Sequence, residues 1–185
     1  MSLPDFSFFK GRSIVSAKTG RGYMLEPVTA LPGTPETIEN IVSICNEPDI
    51  YDVLFKKKCQ GKPYTSENGE SFLNWAKKGW DENTHFVFVL RDDHKRHIGT
   101  VDIKSNDTNM GEIGYWASAK HQGVMTPAVQ VLCEIAQKAG FKSLCAYTAV
   151  PNQRSQKVLL NNGFTQQPDI VLHNEKYSYF FRKAL

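Results

Sequence analysis

The stretch from Gly111 to Phe164 constrains this 185-residue chain more tightly than any other. Gly111-Glu112-Ile113-Gly114-Tyr115-Trp116 reads as a strand, and the loop Lys120-His121-Gln122-Gly123-Val124-Met125-Thr126 leads straight into a helix. Ala128, Val131, Leu132, Ile135 and Ala136 form one apolar stripe at helical spacing, so that helix is predicted over residues 126–139 with Gly140 as its stop. Residues 143–150 read as a buried strand ended by Pro151-Asn152, and residues 153–161 as a second helix closed by Asn162-Gly163. A loop wrapped around a helix N-terminus presents unpaired backbone N–H groups, and the helix dipole adds positive potential. A pyrophosphate is the natural ligand of such a site. Gly123 would let the backbone approach phosphate closely.

Around this unit the elements are mixed. Residues 21–28 read as a first strand, which leaves residues 1–20 as an N-terminal extension or as the first strand itself. Thr34-Pro35 opens a helix with Pro35 at its first position, and Ile38, Ile41, Val42 and Cys45 carry it to about Asn46. Residues 46–65 are irregular, with room for a short helix within 50–55. Residues 66–80 form a further helix with Ser66 as a candidate cap and Phe72, Leu73, Trp75, Ala76 and Trp80 on its buried face. Strands over 85–90, 97–104 and 111–117, joined by short polar turns, predict an antiparallel meander. Two more strands follow Phe164, the last over 176–182. The whole is an α/β (α+β) arrangement in a single domain spanning 1–185.

Composition narrows the function classes. Hydrophobic residues at 41% and charged residues at 22% describe an ordinary globular chain, and a net charge of +3 is too small to argue for nucleic acid. No apolar run approaches the roughly 20 residues of a membrane helix, and the N-terminus lacks the pattern of a signal peptide. Met1-Ser2-Leu3 fits residues left by cloning. Cys45, Cys59, Cys133 and Cys145 match neither a zinc pattern nor a redox pair, and the five histidines show no metal-ligand spacing, so no metal is assigned. A reducing cytoplasm is the expected compartment. Tyr177, Tyr179, Phe180 and Phe181 read as sheet packing, and the aromatic N-terminus as cover for a core edge or a dimer contact. Monomer and homodimer both stay open.

The marks "HIGTVDI", "GEIGYW", "HQGVMTPAVQVL", "NQRSQKVLLNNGF" and "KYSYFFRKAL" resemble the Gcn5-related N-acetyltransferase (GNAT) superfamily, most closely the RimJ/RimL type that acetylates ribosomal-protein N-termini. The resemblance implies a GNAT fold, a mostly antiparallel central sheet splayed in the middle with helices on both faces, and acetyl-CoA as cosubstrate. It implies that the strand through Tyr115, Trp116 and Ala117 separates from its neighbour after Ala146 and pairs with the pantetheine arm. Gln122, Gly123, Val124, Met125 and Thr126 would cradle the pyrophosphate, with Lys120 as a nearby cation, and Asn152 and Ser155 would face the thioester. The chain departs from the pattern in two places, the loop and the helix after Asn152. Lys120 and Met125 stand where the loop usually has Gln or Arg and a small residue, and Leu160 stands where many members have a tyrosine near the thiolate. The acid role would then fall to Ser155.

The implied reaction is direct attack of an amine on the acetyl carbonyl through a tetrahedral intermediate. An α-amine with a pKa of about 7.7–8.0 is substantially neutral near pH 7 and needs little help from a base, whereas a lysine or polyamine nitrogen near 10.4 needs more. Glu112, Glu67 and Glu70 are the candidate bases. Glu67 and Glu70 equally fit acidic residues that favour a helix dipole, and Glu112 a structural partner. The acceptor is expected to be a protein or peptide N-terminus, such as that of a ribosomal protein. A small amine and a non-catalytic acyl-CoA-binding role are the alternatives.

Overall fold

Phe86–Arg91 is apolar on both faces, as a strand must be when both its faces are covered. In the computed structural model, which describes residues 3–174 and 176–185, it is strand β3 of an eight-stranded sheet. The sheet runs β1 (Arg12–Val15), β2 (Gly22–Pro27), β3, β4 (His97–Ile103), β5 (Gly111–Ala117), β6 (Ser143–Ala149), β8 (Lys176–Ala184), β7 (Thr165–His173). Every neighbouring pair is antiparallel except β5–β6, which is parallel. The meander and the mixed α/β class are as the sequence predicts.

Helices α4 (Met125–Lys138) and α5 (Gln153–Asn161) cover one face, where Leu132, Ile135, Ala136 and Leu159 join Phe88, Val101, Ile103 and Ile113 in the larger core. Helices α1 (Pro35–Cys45) and α3 (Ser66–Asp81) cover the other, over Val87 and Val89. The alternation of β3 thus divides its residues between two cores. Between α1 and α3 lie the short helix α2 (Pro48–Ile50) and a π-helical turn, Tyr51–Phe55.

The local chemistry differs from expectation at a few points. The cap of α3 is Thr65, not Ser66: its hydroxyl accepts from Asn68 N, and Asn68 Oδ1 accepts from Thr65 N, a closed capping box. The first strand is β1, which pairs with β2, so residues 12–15 belong to the sheet. The N-terminal aromatics cover the core edge: Phe6 lies 4.7 Å from Phe86 and both Phe6 and Phe9 are buried. Of the C-terminal aromatics, Phe181 is buried, but Tyr177 on β8 is 71% exposed. The suggestion about cloning residues falls partly on positions 1 and 2, outside the described residues. Among the described residues no helix is long and apolar enough to cross a membrane, and no group of three His, Cys, Asp or Glu could hold a metal ion.

Candidate functional site

The centre of the sheet is split. β5 pairs with β4 from Ile113 to Ala117, but with β6 only at Gly111–Leu144 and Glu112–Cys145. Beyond Glu112 the two strands diverge, while β6 stays paired to β8 as far as Ala149. The parallel pairing therefore ends at Cys145, and the edge of β5 through Tyr115, Trp116 and Ala117 faces a wedge instead of a strand. An unpaired edge offers its N–H and C=O groups to an extended ligand.

The loop after β5 meets the N-terminus of α4 at one end of this wedge. Its N-cap residue, Val124, makes no side-chain cap bond, and no acidic residue lies in its first turn, so the helix N–H groups around Met125 and Thr126 keep their positive potential. Gly123 has φ +77° and Val124 follows in the right-handed region. Such a left-handed/right-handed pair turns successive N–H groups toward one concave side, an anion-binding nest. Gly123 is required for a further reason absent from the sequence pattern. A Cβ there would lie 2.6 Å from Lys18 Cβ and 2.9 Å from Ser16 Oγ, in the β1–β2 turn. Met125, larger than the usual residue, packs its side chain against the main core. Lys120 is exposed. Its loop is fixed instead from the N-cap of α2, where Glu47 accepts from Ser118 Oγ at 2.6 Å and Ala119 N at 2.9 Å. On the other flank His121 Nδ1 lies 3.2 Å from Tyr23 Oη, and burial lowers its pKa. Asn162 ties the two site helices together by donating to Thr126 O at 3.1 Å and Val158 O at 2.8 Å.

Asn152 and Ser155 open α5. Asn152 is its N-cap and accepts from Ser155 N at 3.1 Å, so the Asn-x-x-Ser spacing has a local structural cause. The Ser155 hydroxyl points across the wedge to β5, where it lies 2.7 Å from Tyr115 Oη. The same tyrosine hydroxyl lies 3.0 Å from the Ser155 carbonyl. Burial pushes the Tyr115 hydroxyl up to about 12, against the pull of its bond to Ser155, so it stays protonated through the neutral range. Leu160 is 53% exposed and turned to solvent. Sequence reasoning valued Tyr115 for its backbone; its side chain carries no motif that would reveal the contact with Ser155.

Glu112 lies on the opposite face of β5. Alternation places Ile113 and Tyr115 toward α4 and α5, and Glu112, Gly114 and Trp116 toward α1 and α3, where Trp116 sits 6.2 Å from Phe72. Glu112 pairs with Lys104 Nζ at 2.5 Å and lies 3.6 Å from His173 Nε2, whose ring stacks on Tyr147 at 3.7 Å. A second carboxylate, Asp102, shares this face. It sits opposite Gly114 in the β4–β5 register, and a Cβ on Gly114 would fall 3.0 Å from both its oxygens. Asp102 Oδ1 is enclosed without a hydrogen-bond partner among the described residues. Burial lifts its pKa to about 6, with Lys104 and the Gly114 N–H opposing and Glu112 reinforcing the rise. Glu67 and Glu70 are both exposed at the start of α3; Glu70 shares a hollow of about 360 Å³ with Pro35, Ile38 and Glu39 at the start of α1. The structure therefore brings together Glu112, Tyr115, Trp116, Ala117, Asn152 and Ser155 around the split, and the residues Gln122 to Thr126 at its end.

The wedge, the nest and the free helix end suit one elongated ligand with an amide-rich arm and a pyrophosphate. Solved acetyltransferases share the fold. The chain is similar in structure to the ribosomal-protein alpha-N-acetyltransferase RimL solved with coenzyme A (TM-score 0.71, 13% identity, 94% of this chain and 98% of that one). It is similar to Mycobacterium smegmatis RimJ solved with a CoA-disulfide (TM-score 0.70, 15% identity, 95% and 86%). It is also similar to spermidine N-acetyltransferase from Vibrio cholerae solved with CoA and spermine (TM-score 0.65, 18% identity, 88% and 94%). No curated protein sequence matches it. The sequence profile of the acetyltransferase (GNAT) domain matches residues 28–165, three quarters of the chain, and the protein therefore belongs to the GNAT acetyltransferase family, whose chemistry is acetyl transfer from acetyl-CoA.

Proposed function

We propose that this acetyltransferase acts on the α-amine of a protein or peptide N-terminus, as a member of the RimJ/RimL branch. The observation that carries this reading is the charge balance beside the split. A polyamine needs several uncompensated carboxylates. Here Glu112 is already paired with Lys104 and approached by His173, leaving Asp102 as the added acid. Two other acidic residues are spent elsewhere: Asp92 pairs with Arg96 at 2.7 Å in a hairpin turn, and Glu82 with Lys78 on the surface. An α-amine, substantially neutral near pH 7, asks little of a base and suits a glutamate held in an ion pair.

In this reading the β5 edge receives the pantetheine arm, and the nest at Gly123 with the α4 N-terminus receives the pyrophosphate. Acetyl-CoA supplies the acyl group. The backbone N–H of Tyr115 or Trp116 polarises the acetyl oxygen. The amine nitrogen forms its bond to the acetyl carbon, the carbon–sulfur bond breaks, and the sulfur takes a proton from Ser155 Oγ. Tyr115, still protonated, restores that proton to Ser155 across the 2.7 Å contact. Glu112, on the far face, accepts the proton that the amine sheds, so acid and base flank β5 from opposite sides. Solvent then takes the proton from Glu112 and reprotonates Tyr115, so the net change is one amide and one thiol.

Thiol release from acetyl-CoA tests the acceptor class. Peptides with a free α-amine should turn over, and the same peptides with blocked N-termini should not. Rapid acetylation of spermidine with no activity on free N-termini would overturn the proposal.

A further inference from the structure

The turn between β1 and β2 lies against the phosphate loop, and no sequence motif announces it. Ser16 is 2% exposed. Its hydroxyl donates to Gln122 O at 2.8 Å and accepts from Lys18 N at 3.2 Å and Thr19 N at 3.0 Å, so one buried side chain shapes the turn and holds the loop. The next carbonyl, Gly123 O, accepts from Ala17 N at 3.1 Å. Two successive loop carbonyls are thus drawn toward the turn. In a planar trans peptide the N–H points opposite to the carbonyl of the same unit. The N–H groups of Gly123 and Val124 are therefore directed away from the turn, as an anion-binding nest requires. Released from Ser16 and Ala17, this loop could rotate those carbonyls toward the anion, where they would repel it.

Lys18 adds charge at the rim. Its ammonium bonds Gln122 Oε1, a neutral amide oxygen, and among the described residues it has no acidic partner. A cation held against the phosphate loop by a neutral acceptor keeps its charge available to an anion.

We propose that the β1–β2 turn is part of the coenzyme site: Ser16 is a positioning residue that keeps the loop carbonyls turned from the phosphates, and Lys18 is a cofactor-binding cation for a phosphate of coenzyme A. This rests on acetyl-CoA being the donor.

The test uses the full chain with CoA and with 3′-dephospho-CoA in titration calorimetry, alongside steady-state KM for acetyl-CoA. Lys18→Met should weaken CoA binding and raise KM about fivefold, with kcat and the ligand-free melting temperature unchanged. Ser16→Ala should weaken binding about tenfold through loss of the hydrogen bond that orients the loop. If Ser16→Ala fails to fold, Lys18→Met alone decides. An equal loss on both ligands assigns Lys18 to the pyrophosphate; a loss confined to CoA assigns it to the 3′-phosphate. Unchanged affinity in Lys18→Met for both ligands overturns the inference while leaving the coenzyme site intact. Absence of CoA binding by the unmodified protein overturns the coenzyme reading and this inference with it.

Discussion

Gly123→Ala and Gly163→Ala form a controlled pair. Both glycines are left-handed, at φ +77° and +75°, so an alanine at either carries the same backbone cost of about 1 kcal/mol. Their surroundings differ. A Cβ at Gly163 would meet nothing within 4 Å, whereas at Gly123 it would meet Lys18 Cβ at 2.6 Å, Lys18 N at 2.8 Å and Ser16 Oγ at 2.9 Å. Two of these atoms belong to the rigid part of the turn, so the turn must move. Moving it breaks the bonds from Ser16 Oγ to Gln122 O and from Ala17 N to Gly123 O, each contributing about 1 kcal/mol. The total for Gly123→Ala is then about 3 kcal/mol, against about 1 kcal/mol for Gly163→Ala. The smaller unfolded-state entropy of alanine offsets both equally. For a chain of this length each kcal/mol shifts the melting temperature by roughly 2–4 °C. Thermal unfolding without ligand should show a drop of about 6–12 °C for Gly123→Ala and about 2–4 °C for Gly163→Ala. Equal shifts would refute the reasoning, because they would mean that the turn does not bear on the loop.

At the acyl end, Tyr115→Phe should cut kcat about tenfold and leave KM for acetyl-CoA unchanged; combined with Ser155→Ala it should add nothing further, and additive losses would separate the two hydroxyls. Glu112→Gln should reduce turnover least near pH 9, where an α-amine is already neutral, and a loss independent of pH would remove Glu112 as a base. Glu67→Ala and Glu70→Ala should leave kcat within about twofold, each being exposed at the start of α3, and a tenfold loss in either would restore it as a base. Asp102 is raised to about 6, so its protonated form stabilises the fold fully below the unfolded value near 4, and that contribution is lost as pH rises through 6. Asp102→Asn should therefore gain about 3 kcal/mol on the unmodified protein between pH 4 and pH 7 in urea unfolding, and a constant difference between the two would show an ordinary carboxyl.

The elements that build the split were legible because each rests on a local rule. The stripe of Ala128, Leu132, Ile135 and Ala136 dictates α4, and Asn152 and Gly163 mark the ends of α5 by cap chemistry that needs no partner. β1 was harder to read. Arg12-Ser13-Ile14-Val15 has one buried residue, Ile14, and its strand character comes from pairing with β2, a contact no window of four residues reports. Thr65 displaced Ser66 as the α3 cap because Asn68 sits three residues after Thr65 and closes the box in both directions.

The site divides along the same line. The residues proposed to act through their own backbone or helix end, Gln122 to Thr126, Asn152 and Ser155, lie in contiguous motifs. Those that act through tertiary contact do not. Ser16 and Gln122 are 106 positions apart, Glu47 and Ser118 71, and Tyr115 and Ser155 40. Gly123 shows what this does to inference. Its motif suggests a glycine spared a side chain so that phosphate can approach, yet the space its Cβ would occupy is filled by Lys18 and Ser16. The glycine is needed for its φ and for the turn packed against it, while the proposed anion site uses N–H groups facing the other way. Leu160 makes the same point in reverse. It looks like a lost acid in the motif, but its side chain faces solvent, while a tyrosine hydroxyl reaches Ser155 from β5. The hydroxyls that meet in this wedge are therefore set by which side chains the split brings face to face, and under the proposed mechanism a substitution at Leu160 should leave turnover unchanged where Tyr115→Phe does not.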